Sequence, residues 1–171
     1  PKTVVIPMTD DLPVWIEHFK RQNVVDNQSK WSRVEAALHS KYLGYEIGPG
    51  APAVIWKAAA SKYQKRCHTW SQAALGIQIT ARCYQVFCFS TVGFHIQLSE
   101  PSNDLLKCEQ KMLRKIVPGP GNWITASDLF NLTTWFGSTF KFPSIHITSQ
   151  AAKLRTAETL SEYYDIEEEA W

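Results

Sequence analysis

The stretch Ile55-Trp56-Lys57-Ala58-Ala59-Ala60-Ser61-Lys62-Tyr63-Gln64-Lys65-Arg66-Cys67-His68-Thr69-Trp70 sets Ile55, Ala59, Tyr63, Cys67 and Trp70 three or four residues apart. That spacing places them on one face of a helix, with Lys57, Lys62, Lys65 and Arg66 spread over much of the remainder. The stretch therefore reads as an amphipathic helix with a basic exposed side. Residues 77–99 follow and are apolar almost all round, through Ile79, Tyr84, Val86, Phe87, Phe89, Val92, Phe94, Ile96 and Leu98, broken by Arg82, Gln85, His95 and Gln97. Such a helix is central in a bundle or lies in a membrane. Its uninterrupted apolar runs fall well short of the roughly 18–20 residues that a span requires, so a bundle and no membrane are expected.

After Pro101, a residue suited to a helix start, Leu105, Leu106, Met112, Leu113, Ile116 and Val117 form the apolar side of a third helix. Lys107, Lys111, Arg114 and Lys115 give it a basic side, and Pro118-Gly119-Pro120-Gly121 stops it. Two basic-faced helices around one apolar helix make a small bundle with its charge pointing outward.

Toward the N-terminus, Thr3 to Ile6 is a short β-branched run closed by Pro7, as in a strand. Residues 12–22 and 29–40 are expected to be helices, because Trp15, Ile16, Phe19 and then Trp31, Val34, Ala37, Leu38 recur at three and four, and Ser29 suits a cap. Tyr42 to Ile47 alternates, Gly48-Pro49-Gly50 interrupts, and Ala53-Val54-Ile55 resumes, which predicts a β-hairpin turning at residues 48–50. The expected fold class is α+β and mostly α. Short strands and a hairpin occupy 1–55, a three-helix bundle 56–118, a further helical segment 119–157 and an acidic tail 158–171.

A chain of 171 residues fits one compact domain, or a domain with an appendage. Its 44% hydrophobic content and seven Trp exclude a disordered segment. It opens at Pro1 on Val4-Val5-Ile6 without the ordered regions of a signal peptide, so cytoplasm or nucleus is the expected location. Cys67, Cys83, Cys88 and Cys108 lie in apolar stretches without C-x-x-C spacing, as buried free thiols do, and His18, His39, His68, His95 and His146 do not recur at metal-ligand spacing. No metal or other cofactor is expected. Neither a G-x-S-x-G elbow nor a phosphate-binding glycine loop is present.

The net charge of +2 conceals an asymmetry. All eighteen Lys and Arg lie in residues 1–157 with ten acids, whereas residues 158–171 carry six acids and no base. Residues 1–40 balance at five of each, so the excess falls on 41–157, with thirteen bases against five acids. A polyanion is attracted to that stretch, and the acidic tail competes with it intramolecularly. Charge alone is equally met by a solvated basic surface.

The order of features carries a resemblance. Lys41-Tyr42-Leu43-Gly44, a hairpin, then Trp56, Lys62, Arg66 and Trp70, then Ala81-Arg82 and the helix from Tyr84 to Leu98 look like the region after the catalytic palm strands of non-LTR (LINE-like) retrotransposon reverse transcriptases. In that family a K-Y-L-G-like strand begins the primer-grip hairpin, and three thumb helices follow. They carry a lysine and tryptophan pair, a glycine-arginine at the start of the second helix and a proline near its end, the place held here by Pro101. Lys2-Thr3 resembles the lysine-threonine at the palm edge, and Gly119 to Trp123 with Ser149 to Arg155 resemble the helical segment beyond the thumb. The likeness spans nearly all of residues 2–157 as a series of individually weak motifs. One departure is Ala81 where the family has glycine, with a glycine at Gly76 instead.

The resemblance implies a palm-edge remnant over 1–55 and a thumb over 56–118, binding RNA–DNA duplex or another nucleic acid by its backbone. It implies Tyr42, Leu43 and Gly44 at the primer grip. Lys57, Lys62, Lys65, Arg66, Arg82, Lys107, Lys111, Arg114 and Lys115 are the implied nucleic-acid-binding cations. Trp56 and Trp70 either stack on bases or anchor the core. The parent activity is RNA-directed DNA polymerisation, which needs an aromatic-x-Asp-Asp dyad and a third Asp holding two metals. Asp10-Asp11 does not supply it: the aromatic is missing, the pair follows Lys2-Thr3, and no third carboxylate stands on an earlier strand. The chain is thus expected to be a detached, non-catalytic piece, with the missing palm and fingers of the same polyprotein as one partner. The alternative is a relic helical protein-interaction module with no nucleic-acid role, self-associating through apolar surface in residues 1–40 around Trp15, Ile16, Phe19 and Trp31.

Overall fold

The structure is a computed structural model that describes residues 4–6, 14, 15, 17, 18, 21, 35–121 and 123–168. The fold is α+β and mostly α, and the chain divides into two compact units, Pro1–Ile55 and Trp56–Trp171.

In the first unit, β1 (Val4–Val5) pairs in parallel with β2 (Glu35–Ala36), Val4 opposite Glu35 and Val5 opposite Ala36. The Ala37 amide extends the ladder by donating to the Val5 carbonyl at 3.1 Å. The helix expected over 29–40 is therefore corrected at its C-terminal part, and residues 29–34 lie outside the described ones. Spacing at three and four recorded where apolar residues recur but not that β1 offers unpaired backbone groups alongside, and pairing with them overrides a weak local preference. In the expected helix over 12–22, Val14, Trp15, Glu17, His18 and Arg21 are helical, and the others lie outside the described residues. The same holds for Asp10 and Asp11.

The hairpin is β3 (Ser40–Tyr42) against β4 (Tyr45–Ile47), antiparallel, with Lys41 opposite Glu46. Its turn is Leu43-Gly44, both at positive φ (49° and 92°), the two-residue loop whose twist matches that of the strands. The expected turn at Gly48-Pro49-Gly50 is corrected. Those residues fold the chain back under Leu38, where a side chain on Gly48 (φ 128°) would strike the Leu38 carbonyl oxygen and Ile6. Ala51–Ala53 then makes a 3-10 turn, and Ile55 is already helical, so no strand resumes there. His39 Nδ1 and Glu46 Oε2 lie 3.1 Å apart and tie β4 to the segment before β3.

The second unit opens with α1 (Ile55–Ser71). A rod follows, made of α2 (Ile77–Cys83), a π-helical segment (Tyr84–Phe89), α3 (Ser90–Gly93) and α4 (His95–Leu98), with helical backbone at every junction. Ser102 caps α5 (Asn103–Ile116) by accepting from the Leu105 amide at 3.3 Å. A reciprocal Thr125–Asp128 capping box starts α6 (Ala126–Phe130), and its bonds from Thr125 hold the Asp128 carboxyl below the usual range. Left-handed Gly137 ends α7 (Leu132–Phe136), and α8 (Ile145–Glu168) closes the described chain. Because α8 continues through residue 158 without a break, the acidic residues as far as Glu168 prolong a helix that begins in the core.

The rod shows why a helix can be apolar all round without being buried all round. Thr80, Tyr84, Cys88, Val92 and Ile96 are buried at a constant spacing of four. An ideal α-helix would rotate such a series by about 40° per step, roughly 160° from Thr80 to Ile96. The π segment, with its i→i+5 turn, is underwound and keeps the series on one face. The opposite face leaves Ile79, Val86, Phe94 and Leu98 exposed, so the expectation of a helix covered on all sides is corrected. The buried face meets α1 and reaches beyond the three-helix bundle: Tyr63 and Tyr84 rings meet edge-on, and Tyr84 also packs on Phe142 with centroids 5.5 Å apart. Ile145, Ser149 and Ala152 of α8 are buried as well. Three of the four free thiols, Cys67, Cys83 and Cys88, are buried, and Cys108 is half-buried.

Candidate nucleic-acid interface

The cations implied to bind nucleic acid fall in separate places. Lys62, Lys65, Arg66 and Thr69 of α1 face Ser90 and Thr91 of α3 across an open groove of about 720 Å³. These α1 positions recur at three and four, so they form one stripe along the helix. Lys57 lies five residues before Lys62, about 140° round the helix, and is exposed outside the groove. No carboxylate among the described residues lines the groove, which leaves its three cations without an opposing charge on the walls.

The three groove hydroxyls already spend their protons on the backbone. Thr69 Oγ1 donates to the Lys65 carbonyl at 3.0 Å, Ser90 Oγ to Val86 at 2.6 Å, and Thr91 Oγ1 to Cys88 at 2.6 Å. A phosphate in the groove must therefore take its hydrogen bonds from Lys62, Lys65 and Arg66. The Cys88 thiol of the π segment is held low chiefly by its hydrogen bond with Cys67 and, against its burial, by the charge of the Arg66 guanidinium.

Lys107, Lys111, Arg114 and Lys115 are all exposed on one face of α5, opposite buried Leu105, Glu109, Leu113 and Ile116. Gln64 Nε2 donates to Cys108 Sγ at 3.1 Å, which puts α5 against the flank of α1 about 160° round from Lys62. The α5 cations thus form a second patch, apart from the groove. Arg82 lines a third place, a shallow cleft with Gln78, Ile79, Thr139 and Phe140. Tyr42 and Leu43 are exposed at the tip of the hairpin in the first unit, Leu43 at 81%, and Gly44 has open space around its Cα.

The two tryptophans part company. Trp56 is buried and its Nε1 donates to the Glu100 carbonyl at 2.9 Å, as a core anchor does. Trp70 is half-buried and stacked on Phe87, with ring centroids 4.8 Å apart and planes 21° from parallel. Of the residues expected in an association patch over 1–40, Trp15 is half-buried, and Ile16, Phe19 and Trp31 lie outside the described residues.

Sequence reasoning missed two things. One is Ser90-Thr91, an adjacent hydroxyl pair in the middle of an apolar run and a readable sign that one side of the rod faces something polar. The other is Glu109, buried at the centre of the unit. Its Oε1 accepts from the Ile145 amide at 2.8 Å and from the Tyr84 hydroxyl at 3.3 Å, and the Tyr84 and Tyr63 hydroxyls are 3.1 Å apart. Since Tyr84 has a single proton, Tyr63 donates to Tyr84 and the chain runs Tyr63 to Tyr84 to Glu109. Burial pushes the Glu109 carboxyl up to about 7, against the two bonds that favour its charge. Burial likewise pushes both phenols far up. The carboxylate sits at the N-terminus of α8, where the helix dipole favours it. Its position was readable: Glu109 lies four residues after Leu105 and four before Leu113, on the apolar side of α5, where a charged residue needs a buried partner.

Among the described residues, no three His, Cys, Asp or Glu side chains converge as a metal site, and no helix is long and apolar enough to cross a membrane. Compared with protein-family models, with curated proteins and with solved structures, the chain matches none.

Proposed function

We propose that this chain is a non-catalytic nucleic-acid-binding module of the kind its resemblance to the thumb of non-LTR reverse transcriptases implies, holding the backbone of an RNA–DNA duplex without reading its bases. The observation that carries this reading is the groove: Lys62, Lys65 and Arg66 converge on one face with no carboxylate on either wall among the described residues. Three cations on one helical stripe suit successive phosphates, and backbone contacts of this kind position a duplex but carry no sequence information. The α5 patch of Lys107, Lys111, Arg114 and Lys115 and the hairpin tip at Tyr42, Leu43 and Gly44 are further contact surfaces within the same reading. Cytoplasm or nucleus, where such duplexes occur, is the proposed location.

The test is fluorescence anisotropy with a blunt labelled RNA–DNA hybrid across a salt series. Neutralising two to three phosphates gives a slope of log K against log salt of about −2 to −3. The Lys62→Glu, Lys65→Glu, Arg66→Glu triple variant is expected to lose binding at low salt while melting as the parent does. Absence of binding by the parent at low salt overturns the reading.

A second reading is a helical protein-interaction module. It is favoured by the exposed Ile79, Val86, Phe94 and Leu98 on the outer face of the rod and by Ile147 and Leu154 on α8. Association through these residues would persist at high salt, whereas phosphate binding would not.

A further inference from the structure

A basic wall explains attraction to a backbone, but it leaves the stacked pair of Trp70 and Phe87 beside the groove unused. Trp70 lies four residues after Arg66, and Phe87 lies four residues before Thr91. On helices such spacings are one turn along the same side, so one ring continues each wall. The rings meet in a near-parallel stack, 4.8 Å between centroids and 21° between planes, one helical turn beyond Arg66 and Thr91 of the groove lining. Phe87 is 40% exposed in that stack. It sits in the π segment, whose underwinding sets the phase of the ring relative to Ser90 and Thr91.

From this we infer that the groove takes a single strand at its aromatic end: an unpaired nucleotide whose base stacks on the exposed part of Phe87 while its phosphates lie along Lys62, Lys65 and Arg66. Cations that track a backbone beside an aromatic face open to solvent are the two components of sequence-tolerant single-strand binding. A purely apolar docking segment would leave the cations unanswered, and a phosphate alone would leave the ring unanswered. A nucleotide answers both. The ring pair has a division of labour: Trp70 gives one face to Phe87 and is half-buried, so it supports, and Phe87 presents. The specificity that follows is for the junction between duplex and unpaired strand, with no preference among bases, since every base has a π-face.

This inference rests on the nucleic-acid reading of the groove, and the experiment separates their failures. Three labelled RNA–DNA hybrids are compared by anisotropy with the full chain: blunt, with a short unpaired tail, and with the same tail made abasic, which keeps the phosphates and removes the bases. The tailed hybrid is expected to bind at least about fivefold tighter than the abasic-tailed one. In Phe87→Leu, which keeps apolar bulk and removes the aromatic face, that ratio is expected to fall to one, and in Phe87→Tyr to be retained, with the melting temperature of each variant recorded. If the parent binds the blunt hybrid but treats tailed and abasic-tailed hybrids alike, the inference is overturned and the backbone reading stands. If the ratio survives in Phe87→Leu, the base stacks elsewhere and the inference is overturned. If the parent binds none of the three, both fall.

Discussion

The groove between α1 and α3 and the buried chain from Tyr63 through Tyr84 to Glu109 both draw on α1 and the rod, on different faces, and the buried chain ends on α5. In the groove, three charges stand in water and cost the fold little; in the core, one carboxyl costs enough for burial to move it to about 7. The contrast separates charges that remain available to a partner from one that the fold itself must accommodate. A charge left in water stays ionised and open to a partner, although screened, whereas a charge taken from water must be compensated locally or neutralised. The Tyr84 hydroxyl and the Ile145 amide supply that compensation.

The contrast can be broken most severely at Tyr84, whose ring packs on Tyr63, Phe89 and Phe142. Tyr84→Ala is expected to cost about 3–5 kcal/mol in a denaturant titration, because a fully buried aromatic leaves a cavity and Glu109 loses a donor. A loss below about 1 kcal/mol would mean that the core does not depend on this residue.

Next in size is the pH dependence carried by Glu109. Its carboxyl is raised from the ordinary 4.5 to about 7 in the fold, so below pH 4.5 it is protonated in both states and carries no penalty. As pH rises from 4.5 to 7 the unfolded chain releases its proton first, stability falls, and above about 7 the loss is complete. The full loss is about 3 kcal/mol at most. Against Glu109→Gln, which cannot titrate, the parent is expected to lose stability over that window, and a difference constant between pH 4 and 8 would show that Glu109 is not buried as a titrating group.

Smaller still is the effect of single groove lysines, which sharpens the comparison from the other side. Lys62→Glu is expected to weaken binding of a blunt hybrid about fivefold to tenfold at low salt, and to change stability by no more than about 0.5 kcal/mol. Lys57→Glu, on the same helix but outside the groove, makes the same charge change and is expected to weaken binding less than half as much. Equal losses at the two positions would mean that the net field of the unit, rather than the groove, attracts the partner.

Much of the second unit is legible in its residues. The periodicity of Ile55, Ala59, Tyr63, Cys67 and Trp70 and that of Leu105, Leu113 and Ile116 mark α1 and α5 nearly to their ends, because helical phase is local and each residue's neighbours are three or four positions away. The same pattern separates basic from apolar faces, and it identifies the residues from which any anion site must be drawn. Only the tertiary structure decided the rest. It made Glu35 and Ala36 a strand, because β1 supplied a partner from about thirty positions away, a distance no local period reports. It selected Lys62, Lys65 and Arg66 from a longer set of cations, because α3 supplies the opposite wall and α5 occupies the other flank of α1. It gave Glu109, which helical phase puts on the apolar side of α5 with Leu105 and Leu113, the partners that let it be buried, the start of α8 and the Tyr84 hydroxyl. A groove and a buried carboxyl are both relations between segments, and the free energy of each is set by groups that only folding brings together.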